Sequence, residues 1–381
     1  MKVAQIHCGQ MPDAASLKPL AAIAPQLVLA FGNVAGLARP GLLQQLRDAL
    51  PEAVLAGCSS SGPISGRFAG TASLALTALH FETPDIRLAV GDLQGPGDSF
   101  DVGARLARQF VGTPVHDVLV FGPGVDLQGT ALIDGLRSAL PATVGISGGL
   151  ASDGAAFMRT FTLSTHAVSD HQVVALGFGS ERTELRHGAM HGWRSSGPVR
   201  RVTRASGNML FELDGAPALE VYRRCIGEQA TGLPASAQHF PFEMLSPSQR
   251  GRGLMRSVIG VDVELGSLLL GGDVRSDGYM RLMQAPVDSL IAGAGAAAEL
   301  AGGSNGPTVG DELALIVSCE ARQWVLGERV GEEARAVRQV LGERCQVTGF
   351  HGHGQIAPQP GASGSSLHNQ TLVVTHIAER A

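Results

Sequence analysis

The sequence predicts an α/β fold with α+β hairpin additions: two modules of mixed sheets built on strand–helix–strand crossovers. Three observations lead there. Leu313-Ala314-Leu315-Ile316-Val317 is apolar without alternation, a helical period follows over 332–341, and a second apolar run spans 345–350. Unbroken apolar strands are buried on both faces, and joining two of them through a helix makes a parallel pair. The same plan recurs twice upstream: strand 27–31, helix 41–50, strand 54–56, and strand 118–121, helix 129–140, strand 143–146. Pro51 and Pro141 stop those two helices and Gly342 stops the third. From Arg256 onward the pattern alternates, with strands at 257–263, 267–270 and 279–283, which adds antiparallel structure.

Each crossover ends in a small, Gly-rich turn: Gly57-Cys58-Ser59-Ser60-Ser61-Gly62, Ser147-Gly148-Gly149-Leu150, and Gly349-Phe350-His351-Gly352-His353-Gly354-Gln355. Ligands of parallel sheets sit outside the carboxyl ends of strands, so these turns are the candidate site. The expected arrangement puts the first two units in one sheet and the third in another, or across a pseudo-symmetric seam, with the three turns within one ligand's reach.

In chain order, 13–24 reads as a helix stopped by Pro25. Strands at 71–79 and 86–90 flank Thr83-Pro84-Asp85 and are expected to pair as a hairpin. Residues 100–111 are amphipathic, and 157–162 and 173–178 read as strands. The pattern changes at His191-Gly192-Trp193, followed by the basic alternating strand 199–204. Asp214 is expected to cap a helix at 218–225, and Asp288 an Ala-rich helix at 290–301. The irregular stretch 227–253 and the linker 302–307 are the segments most able to move, and 371–377 is a final strand.

At 381 residues the chain can bury a sizeable core. A net charge of −5 and the lack of a basic stripe with interleaved aromatics argue against nucleic acid and anionic membranes as partners. No apolar run has the length of a membrane span, and the N-terminus lacks a signal-peptide core. Five widely spaced cysteines, with no Cys-x-x-Cys, fit a reducing cytoplasm and exclude a zinc ribbon, a thiol-redox pair and covalent haem.

Chemistry read from residue types offers three openings. His351 and His353 lie two apart at a strand end, which suits a transition metal, with His368 as a third ligand. Cys58 or Ser59, after a buried strand, could serve as a nucleophile, although no base stands at a fixed offset and the turn is neither a Gly-x-Ser-x-Gly elbow nor a P-loop. Backbone amides of the Gly-rich turns, Gly148 and Gly149 among them, with Arg200 or Arg201, could bind an amino acid or similar small polar ligand.

Taken together, the first two crossover units, Gly148-Gly149-Leu150-Ala151, the link from His191-Gly192-Trp193 to Leu219, Gly272-Asp273-Val274, Ser318-Cys319 and Leu367-His368-Asn369-Gln370-Thr371 resemble the FIST family of bacterial sensory proteins over nearly the whole chain. The resemblance implies an N-terminal module at 1–190, a connecting segment at 191–256 and a C-terminal module at 257–381. Within the family the chain looks closest to the nitric-oxide-sensing branch, NosP. That resemblance implies haem b, a gas ligand, no catalysis, and a histidine kinase or cyclic-di-GMP enzyme as partner; homo-oligomerisation stays open. No such partner segment is fused to the chain as read. Haem would need an imidazole on iron, with His368 the first choice and His191, beside Trp193, the second. One departure stands out: where the family's closing turn carries aromatics and an acid, this chain has His351, His353 and Gln355.

Overall fold

The computed structural model describes residues 1–66, 74–154, 156–248, 253–302, 306–358 and 364–381, with 68–69 described by backbone alone. Residues 71–73 of one expected strand, 249–252 of the irregular stretch and 303–305 of the expected linker lie outside the described residues.

The apolar runs build one plan three times. The first repeat runs β1 (Lys2–Cys8), α1 (Ala14–Ala21), β2 (Leu27–Gly32), α2 (Val34–Leu37), α3 (Leu42–Ala49), β3 (Val54–Ser59), a short hairpin of β4 (Pro63–Ser65) and β5 (Phe68–Ala69), then β6 (Leu74–His80). The second runs β7 (Ile86–Asp92), α4 (Ser99–Arg108), β8 (Asp117–Gly122), α5 (Gly129–Arg137), β9 (Gly145–Leu150), the hairpin β10 (Thr162–Ser164) and β11 (Val168–Ser169), then β12 (Gln172–Phe178). The third opens with β13 (Thr183–Met190) and is interrupted by an insertion. The insertion contains β14 (Arg194–Ser206), β15 (Met209–Leu213), β16 (Ala216–Pro217), α6 (Ala218–Ile226), β17 (Phe242–Leu245), β18 (Leu254–Arg256), β19 (Val258–Asp262), β20 (Ser267–Leu270) and β21 (Tyr279–Gln284). The third repeat then resumes with α7 (Val287–Ala301), β22 (Glu312–Cys319), α8 (Glu320–Leu326), α9 (Gly331–Leu341), β23 (Cys345–Gly352), the hairpin β24 (Gly354–Pro358) and β25 (Ser365–His368), and β26 (Leu372–Glu379).

Three six-stranded sheets result, in the orders β1-β6-β2-β3-β10-β11, β7-β12-β8-β9-β24-β25 and β13-β26-β22-β23-β4-β5. Each holds one parallel pair at its centre, flanked by antiparallel strands. The hairpins are exchanged in a cycle. The first repeat's hairpin joins the third sheet, the second's joins the first, and the third's joins the second. The insertion forms a separate antiparallel sheet with its own core around Tyr222, Phe242 and Met280.

The inner faces of the three sheets share one core, in which Phe31, Phe121 and Phe350 meet with ring centroids 4.9–6.0 Å apart. Helices cover the outer faces, α1 and α3 on the first sheet, α4 and α5 on the second, α7 and α9 on the third. Gly57, Gly148 and Gly349 occupy the same place in the three parallel pairs. A Cβ on each would lie within 1.8–2.0 Å of the carbonyl oxygen of Ala30, Val120 or Ile316. Only glycine fits such a backbone approach.

Several expectations need correcting. The first two crossover units lie in different sheets, one per sheet. The strands at 71–79 and 86–90 do not pair with each other: β6 lies between β1 and β2, and β7 pairs with β12. The connection between them is tied to the third sheet, because the Glu379 carboxylate accepts the backbone N–H of Glu82 and Thr83. Residues 157–161 are not a strand, since the Asp153 carboxylate takes the N–H groups of Phe157, Met158 and Arg159 that a ladder would need. Asp214 lies in the turn between β15 and β16 and is tied to β14, accepting from Arg201 N and pairing with Arg200, so it caps no helix. Helix α7 begins after Pro286, and Asp288 lies in its first turn, paired with Arg329.

Candidate functional site

The carboxyl ends of β3, β9 and β23 meet. Ser60 Oγ accepts from His351 N at 3.0 Å, Ser152 Oγ donates to His351 O at 2.5 Å, and Ser61 N donates to Ser152 Oγ at 2.8 Å. His353 N donates to Leu150 O at 3.1 Å. These turns therefore converge as the shared-site idea requires. Ser59, Gly148, Gly149 and His351 are buried there, however, and none of them lines the open cleft beside it. Cys58 points into the central core, where burial pushes its thiol well above its ordinary pKa, the opposite of what a nucleophile needs.

An open cleft of about 360 Å³ lies beside this junction, between the third repeat and the insertion. The insertion supplies one wall through Leu233, Pro234, Gln238, Ser257 and Ile259. The opposite side is Glu320, Ala321 and Trp324 of α8, with Phe157, His353 and Asn369 completing it. Helix α8 starts where β22 ends, so Glu320 stands at the carboxyl end of a fully buried strand. Phe157 has a left-handed backbone (φ +50°), held by Asp153, and its ring stacks on His353 at 4.5 Å between centroids.

The cleft is rich in acceptors. Glu320 is 4% exposed, and neither carboxylate oxygen has a hydrogen-bond partner. Asn369 Oδ1 is buried and likewise unpartnered. His353 Nδ1 lies 3.2 Å from Gly124 O and must donate to it, so a neutral ring presents the lone pair of Nε2. That nitrogen stands 3.3 Å from Glu320 Oε2 and 3.6 Å from Asp153 Oδ1, within ion-pair range but without hydrogen-bond alignment.

Of the residues singled out from sequence, only His353 lines this cleft. His351 turns inward, its Nδ1 donating to Gly62 O at 2.8 Å. His368 is buried behind β24, with Nε2 3.4 Å from Ala357 O. His191 Nδ1 accepts from Trp193 N at 2.9 Å, and Trp193 Nε1 donates to Gln370 O at 3.0 Å within a small separate core. Arg200 is engaged by Asp214, and neither it nor Arg201 lines the cleft. The expected His351, His353 and His368 metal set is not assembled; among the described residues no group of three His, Cys, Asp or Glu could hold an ion.

The lining of this cleft does not fit haem. It needs an apolar slot with an imidazole aimed into it. His368 and His191 do not line the cleft, while His353 faces carboxylates and is covered on one side by Phe157. Sequence reasoning missed Glu320, Trp324 and the Phe157 turn. It searched the ends of the second strand of each parallel pair, whereas Glu320 follows the first strand of the third pair. Asn369 lies inside the 367–371 segment, where His368 is the residue whose type suggests a ligand.

The FIST N domain family matches residues 26–216 and the FIST C domain family residues 218–358. The chain belongs to the FIST family. FIST domains are those of small-ligand sensors in signalling. An uncharacterized protein of Methanocaldococcus jannaschii is 34% identical over 93 residues, which is 24% of this FIST chain and 18% of that relative's length. A solved cyanuric acid hydrolase of A. caulinodans aligns over 100% of this chain and 99% of its own at 15% identity, but its TM-score of 0.36 carries no argument.

Proposed function

We propose that this FIST chain is a cytoplasmic sensor of a small polar organic ligand, with no catalysis of its own, and that the ligand occupies the cleft between the third repeat and the insertion. Glu320 carries the reading: a buried carboxylate on the wall of an open cleft, neither oxygen hydrogen-bonded and one of them 3.3 Å from His353 Nε2. Burying an ion without partners is costly, so a ligand that satisfies it gains affinity that a filled, apolar cleft would not offer. The cleft volume suits a small molecule. A ligand touching both walls has different affinity for open and closed arrangements, which is what a sensor requires. The five free cysteines support a reducing compartment. The family resemblance supports a histidine kinase or cyclic-di-GMP enzyme as the receiving partner.

A thermal-shift screen of amino acids, amines and organic acids tests the reading. At least one small polar compound is expected to raise the melting temperature of the wild type by several degrees. Failure of every such compound, together with a Soret band in protein from haem-supplied cells, would overturn it in favour of haem and nitric-oxide sensing.

A further inference from the structure

We infer that the ligand is a cation: an ammonium, amidinium or guanidinium group set against Glu320, on a flat apolar body flanked by Trp324. The inference rests on the cleft being the ligand site and adds the chemistry of what fills it. The polar groups on the floor point one way. Both oxygens of Glu320, Asn369 Oδ1 and, in the neutral ring, His353 Nε2 are acceptors without a hydrogen-bond donor. With Nδ1 donating to Gly124 O, a neutral His353 ring sets a bare Nε2 3.3 Å from Glu320 Oε2, acceptor against acceptor. A donor-rich cation between them relieves both; an anion would add a further negative charge to a buried carboxylate.

The surroundings match this. Among the described residues neither Arg nor Lys lines the cleft, which leaves His353, set between two carboxylates, as its basic side chain. The Asp153 carboxylate, 3.6 Å from His353 Nε2, adds negative potential while its own oxygens are held by the Phe157, Met158 and Arg159 amides. Trp324 is 53% exposed at the cleft rim, where an aromatic face attracts cations and stacks on planar groups. Ile259 and Leu233 on the insertion offer apolar contact to the rest of the molecule.

Three compounds of one shape and different charge decide the matter: benzamidine, benzamide and benzoate, with benzylamine and agmatine as further cations. Calorimetric titration of the full chain is expected to show binding by at least one of the cations, and by benzamidine more tightly than by benzamide or benzoate. The Glu320→Gln variant is expected to weaken cation binding by at least about tenfold, the scale of a lost charge-assisted hydrogen bond. Its ligand-free melting temperature is expected to equal or exceed that of the wild type, because a buried carboxylate without a hydrogen-bond partner has been removed. A Glu320 that merely anchors His353 would instead lower the melting temperature and leave the charge preference intact. Trp324→Ala, at an exposed position, keeps the fold and should weaken benzamidine more than agmatine. Benzoate binding with no cation binding overturns the cation while leaving the cleft as a sensor site. Silence from all five compounds and from the wider screen overturns both.

Discussion

His368 is sealed among Ala357, Arg256 and its own strand, and its pKa falls from 6.5 to about 4. Burial is the largest cause; the Arg256 guanidinium and His191 add to it, and the contact with Ala357 O opposes it. A native histidine with a depressed pKa binds fewer protons than the unfolded chain between those two values. The contribution is therefore fully present above about pH 6.5 and is lost as pH falls toward 4, amounting to roughly 3 kcal/mol at most. His368→Asn should flatten this limb: urea midpoints at pH 7 and pH 4.5 should differ less in the variant than in the wild type. An equal acid loss in both proteins would assign the effect elsewhere. The same residue shows what sequence can tell at this scale. Type and position made His368 the natural iron ligand, but which way an imidazole faces depends on the pairing of its hairpin strand β24 and on Arg256, which is remote in sequence. Its neighbour Asn369 reaches the cleft instead. Glu320 was within reach of the reasoning that found the Gly-rich turns, since it too follows an unbroken apolar strand.

At the scale of single elements, the three crossover units were legible because each part has a local cause: apolar runs without alternation, one helical period between them, a Pro or Gly stop. The hairpins were not legible. β4, β10 and β24 follow their repeats in sequence yet pair in other sheets, and a short polar strand carries no local mark of a distant partner. The glycine of the second crossover is a binding element by its place in a Gly-rich turn, but its surroundings give it a steric role. Gly148 has φ +127°, and a Cβ would lie 2.0 Å from Val120 O. Gly148→Val should therefore cost more than about 3 kcal/mol and lose ligand response only as the fold is lost. Gly97→Ala is the control, since nothing stands within 4 Å of its added Cβ and its φ is ordinary; its denaturation midpoint should match the wild type. A folded Gly148→Val protein of near-normal midpoint that no longer binds would restore the binding role.

At the scale of the whole molecule, the cyclic exchange of hairpins means no sheet is complete without a strand pair from another repeat. The three repeats should therefore unfold as one cooperative body. The insertion stands apart from this cycle. Its first and last strands pair with each other, Arg194 opposite Gln284 and Ser195 opposite Met283, so the chain leaves the third repeat and returns at nearly one point. The change of pattern at His191-Gly192-Trp193 marks the departure in sequence. The return after Gln284 is marked only by Pro286, between β21 and α7, and a strand-to-helix turn of that kind reads the same inside a unit as at its edge. The insertion touches the repeats through the packing of Met255 and Met283 against Trp193, Leu290 and Leu326, through hydrogen bonds such as Arg256 donating to Leu367 O, Gln370 donating to Gln238 O and Asn369 donating to Gly271 O, and at the cleft. Replacing 194–284 by a two-residue turn should thus leave a folded three-sheet body, detected as one sigmoidal transition by circular dichroism. Its midpoint should be lower because those contacts are gone. The shortened protein should give no thermal shift with any compound that stabilises the full chain, since Leu233, Gln238, Ser257 and Ile259 are absent and half the cleft is missing. A shortened protein that still responds would move the ligand out of the cleft and back to the buried junction of the three strand ends. One that fails to fold would make the insertion part of the folding unit rather than a wall added to it.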